Sequence, residues 1–447
     1  MQYDLAILGS GFGGSITALI AKQMGMNPVL IEKGSHPRFA IGESSTPQAD
    51  IALATIAETY NLPRLKPLSR YGTWKDTYPD LNCGPKRGFT YMHHPDIDNE
   101  LLVSASPDGY DCDSQWYRAD LDAFLVDEVK EANIPYFDDT DVTSRIEKKC
   151  LLTASDFSCT ADFLVDATGG ANPLNIAQDI SGIRTNSRVI YSHFEGVCPW
   201  GELHGKPKHP YPCHDAALHH IFSGGWMYVL HFDNGITSAG FVLDNTKRPN
   251  DTWESLMKEL PFVKEQFQDA KPVMPLVQTG RVQRNSEQMV GRNWAMLPSS
   301  AVFVDPLHST GIAQTLCGIE RLMPIFNKPT NEQTPLFRAY ANETMREVDL
   351  LDKLIHGCYQ CFDDFDLFSH FAMLYFAGAD FMERQRRIGK RAGFLNSGDH
   401  AYCKMVDRLY NQLINGTIKV SDFHGEIEPW NMVGLCDPNK QNMYDYA

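Results

Sequence analysis

The stretch YDLAILGSGFGG, residues 3–14, decides the fold. A short apolar run leads into a glycine-rich turn, a helical pattern follows as far as Met24, and a second apolar run, 28–31, ends at Glu32. This strand–turn–helix order is typical of a dinucleotide site, because the glycines let the backbone approach a pyrophosphate and the helix N-terminus favours an anion. Glu32 is placed to bind ribose hydroxyls. The residues predicted to bind the dinucleotide are Gly9, Gly11, Phe12, Gly13, Gly14, Glu32 and Lys33.

Composition narrows the class of protein. The chain has 447 residues, of which 43% are hydrophobic, and a formal net charge of −16. An acidic surface repels phosphate backbones, so no nucleic acid is expected as a partner. No uninterrupted apolar window reaches about 18 residues, so no membrane span is expected. The 11 cysteines are scattered and odd in number, which suits reduced thiols in a cytoplasmic protein.

The rest of the chain predicts an α/β fold in three parts. Apolar runs at 161–169 and 294–304 are expected to rejoin the parallel sheet, and the alternating segment 222–243 reads as antiparallel strands. From 343 to 410 the pattern is helical, with an aromatic stripe expected in the helix core. We therefore predict a Rossmann-like FAD-binding domain, an inserted antiparallel β-sheet of a substrate domain and a C-terminal helical region. Their predicted bounds are 1–195 with 280–340, then 196–279 with parts of 65–115, then 341–447.

Two groups of cysteine and histidine residues contain side chains that can bind a metal ion. The first has spacings that a zinc site could use, but its first two cysteines lie in a strongly helical run without zinc-knuckle turns. The second is a histidine group with irregular spacing and few carboxylates. No metal site is expected from either group. They are Cys358, Cys361, His400 and Cys403, and His204, His209, His214, His219 and His220.

Four motifs occur in an order that resembles the flavin-dependent halogenases, a branch of the FAD monooxygenase superfamily. The fourth motif is the most specific. A glycine-rich turn alone indicates only a dinucleotide binder, whereas the turn followed by the fourth motif indicates a much narrower class of protein. The resemblance implies that FAD is also contacted by Gly42, Ser44, Arg118, Asp305, Gly311 and Ile312. The motifs are GSGFGG with Glu32, IGESSTP at 41–47, WYRADLD at 116–122 and FVDPLHSTGI at 303–312.

The resemblance also implies a reaction. In this family reduced FAD (FADH₂) and oxygen oxidise a halide ion, chloride, bromide or iodide, to hypohalous acid, which halogenates an electron-rich aromatic substrate. A separate flavin reductase is expected to supply FADH₂, and a homo-oligomer is an open alternative. Consecutive amides at Ser309, Thr310 and Gly311 are expected to bind the halide. In the alternative interpretation, this loop only contacts the flavin ring and binds no halide.

Other reaction classes stay open at this point. A single-component FAD hydroxylase would oxidise NAD(P)H by itself. A non-catalytic flavin-binding protein would hold FAD without forming a product.

The lysine that handles hypohalous acid in the family has no exact counterpart. In the matching segment, RYGTWK, Arg70 stands at the lysine's place and Lys75 follows the tryptophan. A guanidinium can polarise hypohalous acid, but it stays protonated and is a poor nucleophile. Both residues are therefore candidates, with Lys86 as a weaker one.

Four further residues are implied by the resemblance. Trp226 and Tyr228 stand in a strand similar to the family's WxWxIP and are expected to shield the substrate from the flavin by their size. His308 could take the proton from the halogenated ring, or it could only pack under the flavin. Glu43 is a catalytic candidate beside the flavin, with a helix-cap contact as the alternative.

Overall fold

The computed structural model describes residues 1–106, 108–390 and 392–432. Its strands are β1 (Gln2–Leu8), β2 (Pro28–Ile31), β3 (Cys83–Lys86), β4 (Gly88–His93), β5 (Glu100–Ser104), β6 (Asp113–Trp116), β7 (Tyr136–Phe137), β8 (Thr143–Ile146), β9 (Cys150–Thr153), β10 (Ser158–Asp166), β11 (Ser187–Glu195), β12 (Ala217–Phe222), β13 (Gly225–His231), β14 (Ile236–Asp244), β15 (Lys271–Pro272), β16 (Val277–Gln278), β17 (Arg284–Asn285), β18 (Trp294–Met296) and β19 (Val302–Phe303).

The α-helices lie around and between these strands. They are α1 (Phe12–Gln23), α2 (Pro47–Thr59), α3 (Tyr71–Thr77), α4 (Arg118–Glu131), α5 (Trp200–His204), α6 (Trp253–Glu259), α7 (Pro261–Gln266), α8 (Pro298–Ala301), α9 (Thr310–Leu322), α10 (Thr330–Gln360), α11 (Phe365–Arg387), α12 (His400–Ile414) and α13 (Ser421–Ile427).

The first sheet carries the glycine-rich turn. Its strands run in the order β7-β2-β1-β10-β9-β8, and β18 also pairs with β10. The strands β7, β2, β1, β10 and β18 are parallel, whereas β9 and β8 are antiparallel additions. The apolar run of β1 is buried because α1 covers it, as expected for a parallel sheet. This confirms the predicted Rossmann-like sheet, although only residues 294–296 of the predicted strand 294–304 pair with it.

The second sheet is mostly antiparallel and has eight strands. Its order is β15-β11-β14-β13-β12-β4-β5, with β16 beside β11 and with β12 parallel to β4. The hairpin of β13 and β14 confirms the prediction that the alternating segment 222–243 forms antiparallel strands. One predicted boundary needs correction: residues 187–195 were assigned to the FAD-binding part, but they form β11, which pairs with β14 along its whole length. The other proposed bounds remain predictions.

The alternation along β13 separates two cores. Trp226, Tyr228 and Leu230 face the main core of the molecule, whereas Met227 and Val229 face a smaller core that α6 and α7 close. Period-two alternation puts successive side chains on opposite faces of a sheet. The hairpin therefore presents one aromatic face to the first sheet and the C-terminal helices.

The C-terminal part is helical, as predicted, through α10, α11 and α12. The aromatic stripe is buried in the core, as expected, and α11 also contacts α2. Residues 433–447 of the predicted helical region lie outside the described residues. The helices that the structure describes include none long and apolar enough to cross a membrane. The stripe comprises Phe362, Phe365, Phe368, Phe371, Tyr375 and Phe376.

The contact between β1 and α1 predicts a stability effect. A Cβ atom at Gly14 would overlap the carbonyl oxygen of Gly9, which is backbone and cannot rotate away. We expect Gly14→Ala to destabilise the protein by about 1–3 kcal/mol, as overpacking does, and to lower the midpoint of thermal unfolding. Gly182→Ala is the matched control, because a Cβ there meets nothing within 4 Å. Equal midpoints for the two variants would contradict the close approach.

Candidate active site

A cavity of about 820 Å³ runs between the two sheets. It begins at Glu32 and Lys33, passes the glycine-rich turn and reaches the aromatic face of β13. This size lies within the range of small-molecule and cofactor sites. Its wall brings together most of the predicted cofactor, halide and shield residues, namely Gly9, Gly11, Phe12, Gly13, Glu32, Lys33, Gly42, Glu43, Ser44, Arg118, Trp226, Tyr228, Asp305, Ser309, Thr310, Gly311 and Ile312.

Glu32 anchors one end of the cavity. Its carboxylate accepts hydrogen bonds from the Ser10 amide at 2.8 Å, the Gly34 amide at 3.0 Å and the Arg38 guanidinium at 3.1 Å. Burial opposes ionisation, but these donors outweigh it and hold the pKa of Glu32 below its usual range. Glu32 is therefore an anion that can accept hydrogen bonds from hydroxyl groups. Lys33 stands at the rim, paired with Asp141 at 2.8 Å.

Arg118 joins three of the sequence motifs. Its guanidinium binds both carboxylate oxygens of Asp122 at 3.0 and 2.7 Å, and it donates to the carbonyls of Ile41 and Gly42 at 3.0 Å each. Asp122 also accepts the amide of Phe12 at 3.1 Å. The start of α1, the loop before α2 and the start of α4 are thus held at one point beside the cavity.

An aromatic wall closes the other end of the cavity. The rings of Trp226 and Tyr228 lie 6.3 Å apart on the same face of β13, and both are buried. The Trp226 indole donates to the hydroxyl of Tyr359 on α10 at 3.1 Å. This placing suits the predicted shield between two parts of the site.

His219 belongs to the same wall and was not predicted there. It pairs with Tyr228 across β12 and β13 and stacks on Tyr91 with ring centroids 4.5 Å apart. Burial lowers the pKa of His219 to about 3, so the ring is neutral. The signal that could have found it was its period-two position in β12, which the irregular spacing of the five histidines obscured. The described residues contain no group of three or more His, Cys, Asp or Glu side chains placed to hold a metal.

The loop before α9 has the backbone shape of an anion site. His308 and Ser309 adopt left-handed conformations with φ of 65° and 57°, and α9 begins at Thr310. The Ser309 amide already donates to the Pro306 carbonyl at 3.0 Å. The amides of Thr310 and Gly311 belong to the first turn of α9, where no intrahelical acceptor exists. The Ser309 amide is therefore not available to a halide ion, and the amides of Thr310 and Gly311 remain the predicted halide donors.

Asp305 faces away from solvent and has three donors. Its carboxylate accepts from the hydroxyls of Ser187 and Tyr359, both at 2.8 Å, and from the Leu307 amide at 3.1 Å. Burial raises the pKa of Asp305 to about 6 despite these bonds. This residue therefore ties the loop before α9 to β11 and α10.

The structure favours the packing alternative for His308. Its ring is fully buried behind the loop and stacks on Tyr375 at 4.5 Å. Nδ1 lies 2.7 Å from the Tyr91 hydroxyl, and Nε2 lies 3.7 Å from the Cys358 sulfur. Because both ring nitrogens have partners and the ring is not part of the cavity wall, the proton-acceptor role expected of His308 does not fit its position.

Glu43 lies in the cavity wall and has a partner that was not predicted. Its carboxylate is 2.8 Å from Nε2 of His193 on β11. Both side chains are buried, and the ring of Phe39 lies 4.7 Å from the His193 ring. The helix-cap alternative is wrong, because Thr46 caps α2 by accepting the Ala49 amide. Glu43 is therefore fixed by the second sheet.

Lys75 does not reach the site. Its ammonium pairs with Asp233 at 2.7 Å and donates to the Pro79 carbonyl at 2.8 Å, away from the cavity wall. Arg70 is not part of the cavity wall either, and its guanidinium lies 3.7 and 3.8 Å from the buried carboxylates of Asp50 and Asp113. A guanidinium between two carboxylates neutralises charge. These positions do not fit delivery of an oxidant by either residue.

Lys86 is fully buried and lies next to the loop of Ser44 and Ser45, behind the cavity wall and not in it. It lies at the end of β3 with no exposed surface, donates to the Ser45 carbonyl, and has its nitrogen 3.9 Å from the centre of the Phe89 ring. Burial lowers the pKa of Lys86 to about 8, although Asp113 and Asp50 act in the opposite direction. Ser45 adjoins Ser44 of the cavity wall. The weakest of the three sequence candidates is thus the one beside the cavity.

Comparisons with known proteins agree with this geometry. Residues 100–368 match the family model described as tryptophan halogenase. The monodechloroaminopyrrolnitrin halogenase of Pseudomonas fluorescens is 30% identical over 84% of this chain and 71% of its own length. The chain belongs to the flavin-dependent halogenases.

Two further comparisons support this assignment. The tetracycline 7-halogenase of Kitasatospora aureofaciens is 27% identical over 91% of this chain and 78% of its own length. The crystal structure of halogenase PltM with phloroglucinol and FAD superposes with a TM-score of 0.88 over 96% of both chains, at 22% identity. The chain is thus an FAD enzyme that uses reduced flavin, oxygen and halide to halogenate aromatic compounds, on a mixed α/β fold.

The residues present fit FAD. The cavity is long enough to connect an ionised Glu32 with the first turn of α9, and Gly11 leaves the backbone of the turn uncovered. A Cβ at Gly11 would meet only the ends of the Arg118 and Asp122 side chains, at 3.3 and 3.7 Å. A larger side chain there would fill the approach to the turn without displacing backbone.

Gly11 therefore provides a test of cofactor binding. We expect Gly11→Leu to lower FAD affinity strongly while the protein still folds, because the side chain would occupy the place of the pyrophosphate. Titration of the apoprotein, followed by quenching of FAD fluorescence, measures the affinity, with Gly182→Ala as control. Wild-type affinity in Gly11→Leu would show that FAD binds elsewhere.

Gly311 provides a test of halide binding. A Cβ there meets nothing within 4 Å and would project into open space by the loop. We expect Gly311→Ala to fold normally, with an unchanged unfolding midpoint, and to raise the halide concentration needed for half-maximal product formation. A halide dependence equal to that of the wild type would exclude the Gly311 amide from the halide site.

Proposed function

We propose that Lys86 is the residue that receives hypohalous acid and passes the halogen to the aromatic substrate. The observation that carries this proposal is its complete burial beside the loop of Glu43 and Ser44, with the Phe89 ring over its ammonium. A buried lysine without a carboxylate in contact is costly, and such groups concentrate at functional sites. In the part of the chain that the structure describes, Lys86 alone among the three candidate cations combines burial with a place next to the cavity.

The remaining site residues take the roles that their positions support. When bound, reduced FAD supplies, with oxygen, the two-electron oxidation that turns halide into hypohalous acid. We propose that Thr310 and Gly311 hold the halide and that Trp226 and Tyr228 keep the arene away from the flavin. Glu43, held by His193, is proposed to stay beside the flavin as a fixed acceptor.

The aromatic surroundings of Lys86 support an arene as the halogen acceptor. Phe89 packs edge-on against Phe376 at 5.1 Å, and Tyr91 stacks on His219 next to the cavity. Of these four rings, His219 lines the cavity and can pack against a planar substrate, and the buried rings behind it exclude water from the halogenating agent. We therefore propose that an electron-rich arene enters this region and meets the halogen at Lys86.

The substrate is proposed to be a free small molecule. The 30% and 27% identical relatives are named for monodechloroaminopyrrolnitrin and tetracycline. Two relatives at only 22% identity are named for a pyrrole carried on a peptidyl carrier protein. Mass spectrometry of products from a panel of free phenols, anilines and pyrroles, with chloride, bromide and iodide, tests this point. Product formation only from a carrier-bound arene would contradict it.

A separate flavin reductase is proposed as the source of FADH₂. The described strands and helices contain one glycine-rich dinucleotide turn, and it serves FAD. We expect the purified protein to oxidise no NAD(P)H by itself and to halogenate when a generic flavin reductase is added. Oxidation of NAD(P)H by the chain alone, coupled to hydroxylation, would favour the hydroxylase alternative.

The Lys86 assignment is tested by a matched pair of substitutions. We expect Lys86→Met to lower the rate of product formation by about 10²–10⁴-fold, the range for a side chain that transfers protons at the reacting atoms, while FADH₂ oxidation continues. Lys75→Met makes the same change at a lysine paired with Asp233 and should retain the wild-type rate. Liquid chromatography of halogenated product measures both. Full activity in Lys86→Met, or its loss in Lys75→Met, would refute the assignment.

The pH dependence follows from the same residue. If the halogen binds the Lys86 nitrogen, the neutral amine must form first, and its fraction rises with pH through the lowered pKa of about 8. At pH 7 roughly a tenth of the side chains would be neutral. Single-turnover product formation should therefore increase between pH 7 and pH 9, and a flat profile there would contradict the neutral amine as the reacting form.

A further inference from the structure

A buried acidic pair faces Lys86. Asp113 of β6 is the direct cross-strand partner of Lys86 on β3, and it has no exposed surface. Asp50 of α2 is 1% exposed and accepts the Ser45 hydroxyl at 2.6 Å. Lys86 donates to the carbonyl of this same Ser45. Ser45 therefore binds both Lys86 and Asp50, and the pairing of β3 with β6 places Asp113 opposite Lys86.

These buried carboxyl groups have few hydrogen-bond partners. Apart from a hydrogen bond between the two carboxyl groups, both oxygens of Asp113 and Oδ2 of Asp50 have no hydrogen-bond partner, and the Arg70 guanidinium lies 3.7 and 3.8 Å away. Gln115 lies two residues after Asp113 on the same face of β6, and Gln48 precedes Asp50 on α2. Both amide groups are at most 1% exposed, and none of their nitrogen and oxygen atoms has a partner. Unsatisfied buried groups are rare in native proteins and need an explanation.

Burial and neighbouring charges oppose the simultaneous ionisation of the two carboxyl groups. Burial and the negative charge of Asp113 hold the pKa of Asp50 well above its usual range, and burial raises that of Asp113 too. Two adjacent carboxyl groups cannot both ionise easily, so they titrate as a pair. The other charged groups that act on them are Lys86, Arg70, Arg387 and Glu383.

We propose that the Asp50–Asp113 pair exchanges protons with Lys86 during halogen transfer. The proposal rests on the proposed function of Lys86. No ion pair of 4 Å or less joins Lys86 to a carboxylate among the described residues, so the proton crosses through one bridging water, an accepted path for acid–base catalysis. Gln115, on the same face of β6 as Asp113, supplies the unpaired amide group that holds such a water.

The proposed steps balance. The Lys86 ammonium gives a proton to the ionised member of the pair and becomes an amine. The nitrogen lone pair attacks the halogen of hypohalous acid, the oxygen–halogen bond breaks, and the hydroxide leaving group takes a proton from nitrogen as water. The arene then takes the halogen from nitrogen, whose electron pair accepts a proton from the pair. The ring proton returns to the carboxylate.

The test compares substitutions of the pair with a distant control. Asp50→Asn, Asp113→Asn and the double variant keep the shapes of the side chains and remove the acids. Asp98→Asn removes the carboxylate partner of a surface lysine, Lys206, and serves as the control. Each variant receives FADH₂, oxygen, bromide and a reactive phenol, with taurine as a trap for free hypobromous acid. Intact-protein mass spectrometry follows the bromine adduct on Lys86.

We expect the double variant to form brominated phenol about 100-fold more slowly. Its FADH₂ oxidation should be unchanged, bromotaurine should rise, and no adduct should form on Lys86. The rate of phenol bromination should fall less in Asp113→Asn than in the double variant. In Asp113→Asn the rate should begin to rise at lower pH than in the wild type, because one negative charge beside the Lys86 ammonium is lost. Asp98→Asn should behave as the wild type.

The outcomes separate the two proposals. Wild-type rate and adduct in the double variant would overturn the acidic pair while leaving the role of Lys86 intact. Full activity of Lys86→Met would overturn the proposed function itself. If the double variant does not fold, Asp113→Asn decides, because a purely structural role leaves both its pH profile and its bromotaurine yield unchanged.

Discussion

The ion pair of Arg118 and Asp122 is the constraint on which the site depends. One guanidinium satisfies a buried carboxylate and two carbonyls of the loop at Ile41 and Gly42, and that carboxylate fixes the Phe12 amide at the start of α1. A buried charge is tolerated only with such full pairing. Because the pair is four residues apart on α4, one helix turn determines where the glycine-rich turn and the loop before α2 meet.

Lys86 shows the opposite solution to the burial of a charge. Its ammonium has one hydrogen bond to a carbonyl, one aromatic ring and a carboxyl pair at longer range, so its desolvation is only partly compensated. Removing one partner of a buried charge costs stability, whereas leaving the charge incompletely paired makes the amine easier to deprotonate. The protein is thus less stable at this point than a hydrophobic residue would make it, and Lys86 loses its proton closer to neutral pH than an exposed lysine does.

The sequence predicts what is local, whereas the burial of a side chain on a short strand depends on register. The turn at 9–14 and the loop at 305–312 carry their geometry in consecutive residues, and the family resemblance follows from them. The position of Lys86 is not local in this sense, because β3 is only four residues long. The burial of Lys86 depends on the pairing of β3 with β6, about 30 residues later. RYGTWK looked similar to the family's lysine segment, yet α3 turns Lys75 toward Asp233. Pairing across long loops is not encoded in local patterns.

The C-terminal helices are part of the site because Tyr359 links its two halves. Its hydroxyl accepts from the Trp226 indole and donates to Asp305, so one side chain on α10 touches both the shield and the loop before α9. The ring of Trp226 and the backbone of that loop cannot shift independently while this chain of hydrogen bonds holds. The spacing between the aromatic face of β13 and the loop before α9 is therefore set in part by α10, which also contributes Leu351 to the cavity wall.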